Sequence, residues 1–370
     1  MTSSKFIPLM VPDIQQQDID AVVNVLKSGM LVQGTNVEAL ETTISDLLNA
    51  KHAIAVSNGT ASLHLALVAM GIGKGDEVIV PAFSYIATAN VVELVGATPV
   101  FVDIKLDSFN INAELIERAI TSKTKAVIPV HEFGLACDIS AIQQIAKKHN
   151  LKIIEDAACA LGATENKKYV GTFGDVGSFS FHPRKAITSG EGGILVTNDD
   201  ELAKKLRILR NHGIEMQNGK MEFVLAGFNY RMTDFQAAML NSQIKRLADI
   251  LKIKTEYAAI YLSELNSKKI LLPSVPENKN HTWQSFHIIL DDEINRDDFI
   301  QLLKENNIGS NYGAQCIPCQ QFYQNKYALD CEKLFPNSMK AYKQGIAIPL
   351  YEKLTANEIH YIISKIKTLV

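Results

Sequence analysis

Four short stretches place reactive side chains where an apolar run ends or a helical run begins. Ser57-Asn58-Gly59-Thr60-Ala61-Ser62 stands directly before an apolar helical segment. Gly59 lets the backbone turn closely, and free amides at a helix N-terminus hold a phosphate dianion, with Thr60 or Ser62 as a hydroxyl donor. Ser, Asn and Thr are equally the ordinary capping residues, so a plain helix cap competes with that reading. In Lys152-Ile153-Ile154-Glu155-Asp156-Ala157-Ala158, Asp156 closes a short apolar run. A carboxylate buried there needs a cation, of which a protonated heteroaromatic nitrogen is one kind, whereas a capping Asp needs none. Lys185 follows Ser178-Phe179-Ser180-Phe181-His182-Pro183-Arg184 and leads to Gly190-Glu191-Gly192-Gly193. Partly buried beside other cations, its amine loses its proton more readily and becomes a nucleophile; the commoner fate of a lysine is a solvated surface. Tyr85, in Pro81-Ala82-Phe83-Ser84-Tyr85-Ile86, either lies flat against a planar ring or packs into the core.

Taken together, a phosphate cradle, a stacking aromatic, a carboxylate for a ring nitrogen and an imine-forming lysine are what a protein contributes to a pyridoxal phosphate (PLP) site. The cofactor brings the electron sink. Lys185, once displaced by an incoming amine, then serves as the base that moves a proton.

These residues need a scaffold that carries them to one edge. Short β-branched runs at 78–82, 99–104, 126–130, 152–155, 177–181 and 193–196 read as buried strands. Helical stretches at 61–70, 86–95, 113–120 and 140–149 alternate with them. That alternation predicts an α/β fold with a mostly parallel sheet and helices on both faces, and such sheets bind ligands outside the carboxyl ends of their strands. Beyond residue 233 the pattern changes to one long helical stretch, 233–262, then a turn cluster at Pro273, Pro276 and 278–280. A strand at 285–290 and a helix at 296–306 follow. The expected organisation is a large domain, 1–250, and a smaller C-terminal α+β domain, 251–370.

Composition narrows the class. In 370 residues, 47% are hydrophobic and 21% charged, the profile of a globular enzyme. Lys plus Arg number 37 against 40 Asp plus Glu, a net charge of −3, and the basic residues are dispersed, so nothing suggests a nucleic-acid surface. No apolar run approaches the ~20 residues that span a bilayer. Residues 1–5 lead into a short apolar piece cut by Pro8, Pro12 and Asp13, which does not read as a signal peptide. Five dispersed cysteines, an odd count, argue against a disulfide framework and for a reducing cytoplasm. Cys316-x-x-Cys319 with Cys331 lacks a second CxxC or a His pair to complete a zinc tetrahedron, so no metal site is expected.

The sequence resembles the DegT/DnrJ/EryC1/StrS sugar aminotransferases of fold type I along nearly its whole length. The segments that carry the likeness are SNGTASLHLAL (57–67), PAFSYIATAN (81–90), GATPVFVDI (96–104), IEDAACALGA (154–163), GTFGDVGSFSFHPRKAITSGEGG (171–193), LRNHG (209–213) and FNYRMTDFQAA (228–238). The resemblance implies an aspartate-aminotransferase-like fold and PLP. In it Lys185 matches the imine-forming lysine, Asp156 the partner of the ring nitrogen and Tyr85 the stacking aromatic. Gly59, Thr60, Ala61 and Ser180 match the phosphate site. Asn229 matches an asparagine that reaches the phosphate of the neighbouring subunit, which implies a homodimer with each site at the subunit boundary. Many relatives have glutamine at the cofactor's ring hydroxyl where this chain has Cys159, a weaker donor. A His-containing motif that lines the sugar pocket in many relatives is here Asn311-Tyr312-Gly313-Ala314-Gln315-Cys316-Ile317-Pro318-Cys319.

The resemblance further implies transfer of an amino group from an amino acid, glutamate by expectation, to a nucleotide-linked keto-deoxy sugar, a 4-keto-6-deoxy sugar first among them, for cell-surface polysaccharide. After residue 250 only Arg296 remains to clamp a carboxylate, which disfavours a dedicated amino-acid enzyme and leaves Arg231 or Arg184 for the amino donor. A 3-keto sugar, a cyclitol or an aminobenzoate-type precursor shares the same cofactor site. Sugar 3-dehydratase relatives carry histidine in place of the lysine, and Lys185 argues against them. A non-catalytic homologue would not need Lys185, Asp156 and Tyr85 together.

Overall fold

The computed structural model describes residues 5–370; Met1 to Ser4, which form most of the N-terminal piece read above, lie outside them. Seven strands build the central sheet: β1 (His52–Val56), β2 (Glu77–Pro81), β3 (Thr98–Val102), β4 (Thr124–Val127), β5 (Lys152–Asp156), β6 (Val176–Ser180) and β7 (Gly193–Thr197). Their order is β1-β7-β6-β5-β4-β2-β3. The pairs from β3 through to β6 are parallel, while β7 runs antiparallel to both β1 and β6. The expected mostly parallel sheet is present, with one reversed strand.

Two-residue alternation sorts the side chains between two layers. In β1, Ile54 and Val56 enter the cluster that holds Leu63, Leu65 and Leu67 of the helix Gly59–Ala69. Ala53 and Ala55 face the opposite cluster, with Leu40, Ile44 and Leu48 of the helix Thr35–Leu48. Burial on both faces explains why these strands read as continuous apolar runs rather than as alternating ones. The expected single helix 233–262 is two, Asp234–Gln243 and Leu247–Glu264, separated by a tight turn at Ile244–Arg246. Arg246 is the reason for the turn's fixed direction: its guanidinium donates to both oxygens of the buried Asp18, at 3.1 and 2.9 Å. Asp234 serves the neighbouring helix, accepting from the amides of Gly34, Asn36 and Val37.

A second core lies under the helix Ala356–Leu369, where the strand Phe286–Leu290 pairs with Ile270–Leu271 and Gly345–Ile348, while Cys316, Tyr323, Phe335 and Met339 pack instead into the cluster beside the central sheet. Ile7 also enters that core and bridges to Ile308, and the helix Leu247–Glu264 runs across the expected boundary at 250. No described helix is long and apolar enough to cross a membrane.

Candidate active site

The carboxyl ends of β5 and β6 lie side by side, Asp156 opposite Ser178 in register. Asp156 is buried; its Oδ2 accepts from the Thr88 hydroxyl at 2.8 Å and its Oδ1 from the Ala158 amide at 3.2 Å. Burial pushes its carboxyl above the usual range, and the Thr88 and Ala158 bonds and the nearby Lys185 charge oppose that only in part. A carboxylate so placed gains most from a cation brought against it. Glu155, one residue earlier, points the other way and accepts from the amides of Gly171, Phe173 and Gly174 and from His131, fixing the strand end rather than facing the site.

Lys185 lies on the turn after β6 and is half-buried. Its amine donates to Cys159 Sγ at 3.0 Å. Burial works against its charge, but Cys159, Asp156 and Glu132 outweigh burial and raise its pKa above the ordinary lysine value. This corrects the expectation of an amine depressed by neighbouring cations. The neighbours are a thiol and two carboxyls, because β5 and the segment after β4 deliver acids to this edge.

Opposite stands the N-terminus of the helix Gly59–Ala69. Asn58 caps it, accepting from the Ala61 amide at 2.8 Å, while the Gly59 and Thr60 amides have no acceptor among the described residues. Capping by Asn58 thus leaves two amides open, so the cap does not preclude an anion there. A Cβ on Gly59 would fall 2.8 Å from Ser180 Cβ, so only glycine lets the cradle close on β6. Of the two candidate hydroxyls, Ser62 is committed, donating to the Gly59 carbonyl at 2.6 Å and meeting Ser178; Thr60 is exposed. Tyr85 is 66% exposed, which removes the core-packing alternative. Asn229 is exposed and bridges to Asn211, which caps the C-terminus of the helix Asp200–Arg210.

Glu132 and Thr88 were not singled out from the sequence. Nothing in the spacing of Val130-His131-Glu132-Phe133-Gly134 marks the glutamate, since it stands on a loop whose path is set by tertiary contacts. Of the arginines, Arg184 is exposed, Arg231 donates to Asn211 at 2.6 Å, and Arg296 is engaged with the Tyr342 and Gly345 carbonyls and with Asp297. Cys316, Cys319 and Cys331 converge, the first two sulfurs 3.0 Å apart and Cys319 also 3.0 Å from Met339 Sδ. That is shorter than the ~3.8 Å edge of a tetrahedron built on ~2.3 Å metal–sulfur bonds. Tyr323 and Phe335 pack around them.

The residues fit PLP. A glycine cradle with two open amides suits its phosphate, the buried Asp156, whose carboxyl is pushed up by burial, suits a ring cation, and the Lys185 amine is within charge–charge range of that carboxyl.

Residues 12–367 match the DegT/DnrJ/EryC1/StrS aminotransferase family. The spore coat polysaccharide biosynthesis protein SpsC of Bacillus subtilis is 36% identical over 99% of this chain and 97% of its own length. Among solved structures, Spr1654 of Streptococcus pneumoniae in its PLP-form superposes with a TM-score of 0.93 at 31% identity, covering 98% of both chains. PseC of Helicobacter pylori, an aminotransferase of pseudoaminic acid biosynthesis, superposes with a TM-score of 0.92 at 28% identity, covering 99% of both.

Proposed function

The chain belongs to the DegT/DnrJ/EryC1/StrS aminotransferase family and is a PLP-dependent sugar aminotransferase; we propose that it moves an amino group from L-glutamate to the ketone of a nucleotide-linked keto-deoxy sugar, a 4-keto-6-deoxy sugar by preference. The product would serve cell-surface polysaccharide, in a cytoplasm reducing enough to keep all five cysteines free. The observation that carries this reading is the meeting of Lys185, Asp156 and Cys159 across from the Gly59–Ser180 cradle.

When bound, PLP supplies an electron sink and carries the amino group between donor and acceptor. The chain's own residues do the rest. Open amides of Gly59 and Thr60, with Ala61 and the Ser180 hydroxyl beside them, grip the phosphate. Asp156, held by Thr88, would keep a proton on the ring nitrogen, and the exposed Tyr85 would stack on the ring. Cys159, hydrogen-bonded to the Lys185 amine, would stand beside the cofactor ring. Lys185 would be the residue that holds the cofactor covalently, and its Nζ would move the proton once free.

We assign the second half of the phosphate site to a homodimer, with Asn229 of the partner subunit completing it. Support comes from apolar surface on the hairpin of Ile214–Gln217 and Lys220–Phe223, where Met216, Met221, Phe223 and Val224 are exposed, and from Met30, Leu31 and Val32. Contiguous exposed apolar groups mark interaction surfaces.

The test mixes PLP-loaded protein with glutamate and a panel of nucleotide-linked 4-keto sugars, 3-keto sugars and keto-cyclitols, and identifies the amine by mass and NMR. Amination of a 4-keto sugar with formation of 2-oxoglutarate is the expected result. Selective amination of a 3-keto sugar or a cyclitol would overturn the substrate assignment. Lys185→Ala should abolish turnover and the visible absorbance of the loaded protein; a variant that keeps both would sink the role given to Lys185.

A further inference from the structure

Glu132 is a buried acid to which the reaction outlined above gives no task. It is 4% exposed, and its Oε2 has no hydrogen-bond partner among the described residues. Leaving a buried acceptor unpaired costs about 1–3 kcal/mol, so its retention calls for a reason. The backbone around it is tightly held. The Glu132 amide donates to Asn110 Oδ1 at 2.8 Å while Asn110 Nδ2 donates to the Leu135 carbonyl at 3.1 Å, which clamps the turn at both ends. Within the turn Phe133 and Gly134 take φ of 53° and 100°, and a Cβ on Gly134 would lie 3.1 Å from the Cys159 carbonyl oxygen. The turn that carries Glu132 thus packs directly against Thr282 and the backbone of Cys159.

Three acidic groups bear on the Lys185 amine: Cys159, Asp156 and Glu132. Asp156 is engaged at both oxygens and is the partner of a ring cation. Burial raises the Cys159 thiol, which therefore keeps its proton near neutrality. Glu132 alone retains an open oxygen, and burial lifts its carboxyl to about 7, where it both accepts and returns a proton.

We infer that Glu132 is the proton partner of Lys185: when the amine swings off Cys159 its proton passes to the open Oε2, and the same carboxylic acid later gives it back. This rests on the reading of Lys185 as the imine-forming lysine. In the forward step one N–H bond of the ammonium breaks and one O–H bond forms on Glu132, leaving a neutral amine and a neutral acid. No oxidant or co-reactant is consumed. The lysine's flexible four-carbon stem supplies the reach. A cation held against Asp156 cancels part of the field that keeps the amine charged, so the transfer becomes easier when the site is loaded.

The experiment compares PLP-loaded wild type, Glu132→Gln and Glu132→Asp in two readouts: visible absorbance against pH, which follows the protonation of the Lys185 nitrogen, and steady-state rates. Glu132→Gln keeps the shape but neither the charge nor the proton. It should move the absorbance midpoint to lower pH and lower kcat about 10²-fold, with KM nearly unchanged. Glu132→Asp should recover part of both. An unchanged midpoint with unchanged kcat in Glu132→Gln overturns the inference. Should Glu132→Gln fail to load PLP, Asn110→Ala loosens the clamp without touching the acid; a shifted midpoint then supports the proposal and an unshifted one overturns it. The Lys185→Ala control separates the two claims. A coloured, active Lys185→Ala removes the lysine reading and this inference with it, whereas a colourless one beside an unaltered Glu132→Gln removes this inference alone.

Discussion

At the scale of single residues, the active-site lysine is governed by acids. Cys159, Asp156 and Glu132 hold the Lys185 amine protonated, so readiness for attack must come from proton transfer and not from a depressed resting pKa. Removing one member of a buried charge pair costs about 3–5 kcal/mol, or about two to four powers of ten. Asp156→Asn is accordingly expected to lower kcat by about 10² or more and to lose PLP on dialysis, both measured by activity and absorbance after gel filtration. Glu132 adds a pH dependence of stability. Its carboxyl is raised in the fold from 4.5 to about 7, so the fold binds its proton more tightly than the unfolded chain does. The contribution is complete below about pH 4.5 and is lost as pH rises through about 7. Melting temperatures of cofactor-free wild type and Glu132→Gln should therefore diverge in favour of the variant at pH 8 relative to pH 5. Asp156 was legible in the sequence because it ends an apolar run, and Lys185 because it stands in the loop between the 177–181 strand and the glycine-rich Gly190-Glu191-Gly192-Gly193. Glu132 was not, because its place depends on the Asn110 clamp and the Phe133–Gly134 turn, which join residues distant in the chain.

Among the elements, the helix Gly59–Ala69 carries the most function on the least sequence. Its residues are apolar almost all round, since it lies between the sheet and the helices Ala87–Leu94 and Asp200–Arg210. Only its first turn faces the site, and Asn58 sets that turn. Asn58→Ala should cost about 1 kcal/mol of stability, the usual effect of losing an N-cap. It should also weaken PLP binding more than it lowers the melting temperature would suggest, because the Gly59 and Thr60 amides lose their alignment; thermal melts with and without PLP test this. The strands of the sheet were readable from their β-branched runs. The break at Ile244–Arg246 was not, because the residues there are acceptable in a helix, and the turn is held by Asp18, which lies more than two hundred positions away.

For the whole molecule, the proposed homodimer would cover the exposed apolar hairpin and bring Asn229 to the partner's site. Light scattering should give about twice the 40.8 kDa chain mass. Phe223→Glu should shift the protein towards monomer and weaken PLP retention together, since the proposed phosphate site draws on both subunits. Local pattern alone determined a parallel α/β sheet, a glycine-led helix start, and an acid and a lysine at strand ends, because periodicity and turn chemistry are properties of neighbouring residues. Tertiary structure decided which acids surround the lysine, and that Ser62 is spent on packing while Gly59 must remain without a side chain. Those outcomes depend on distances between segments far apart in the chain, and no local pattern encodes such distances.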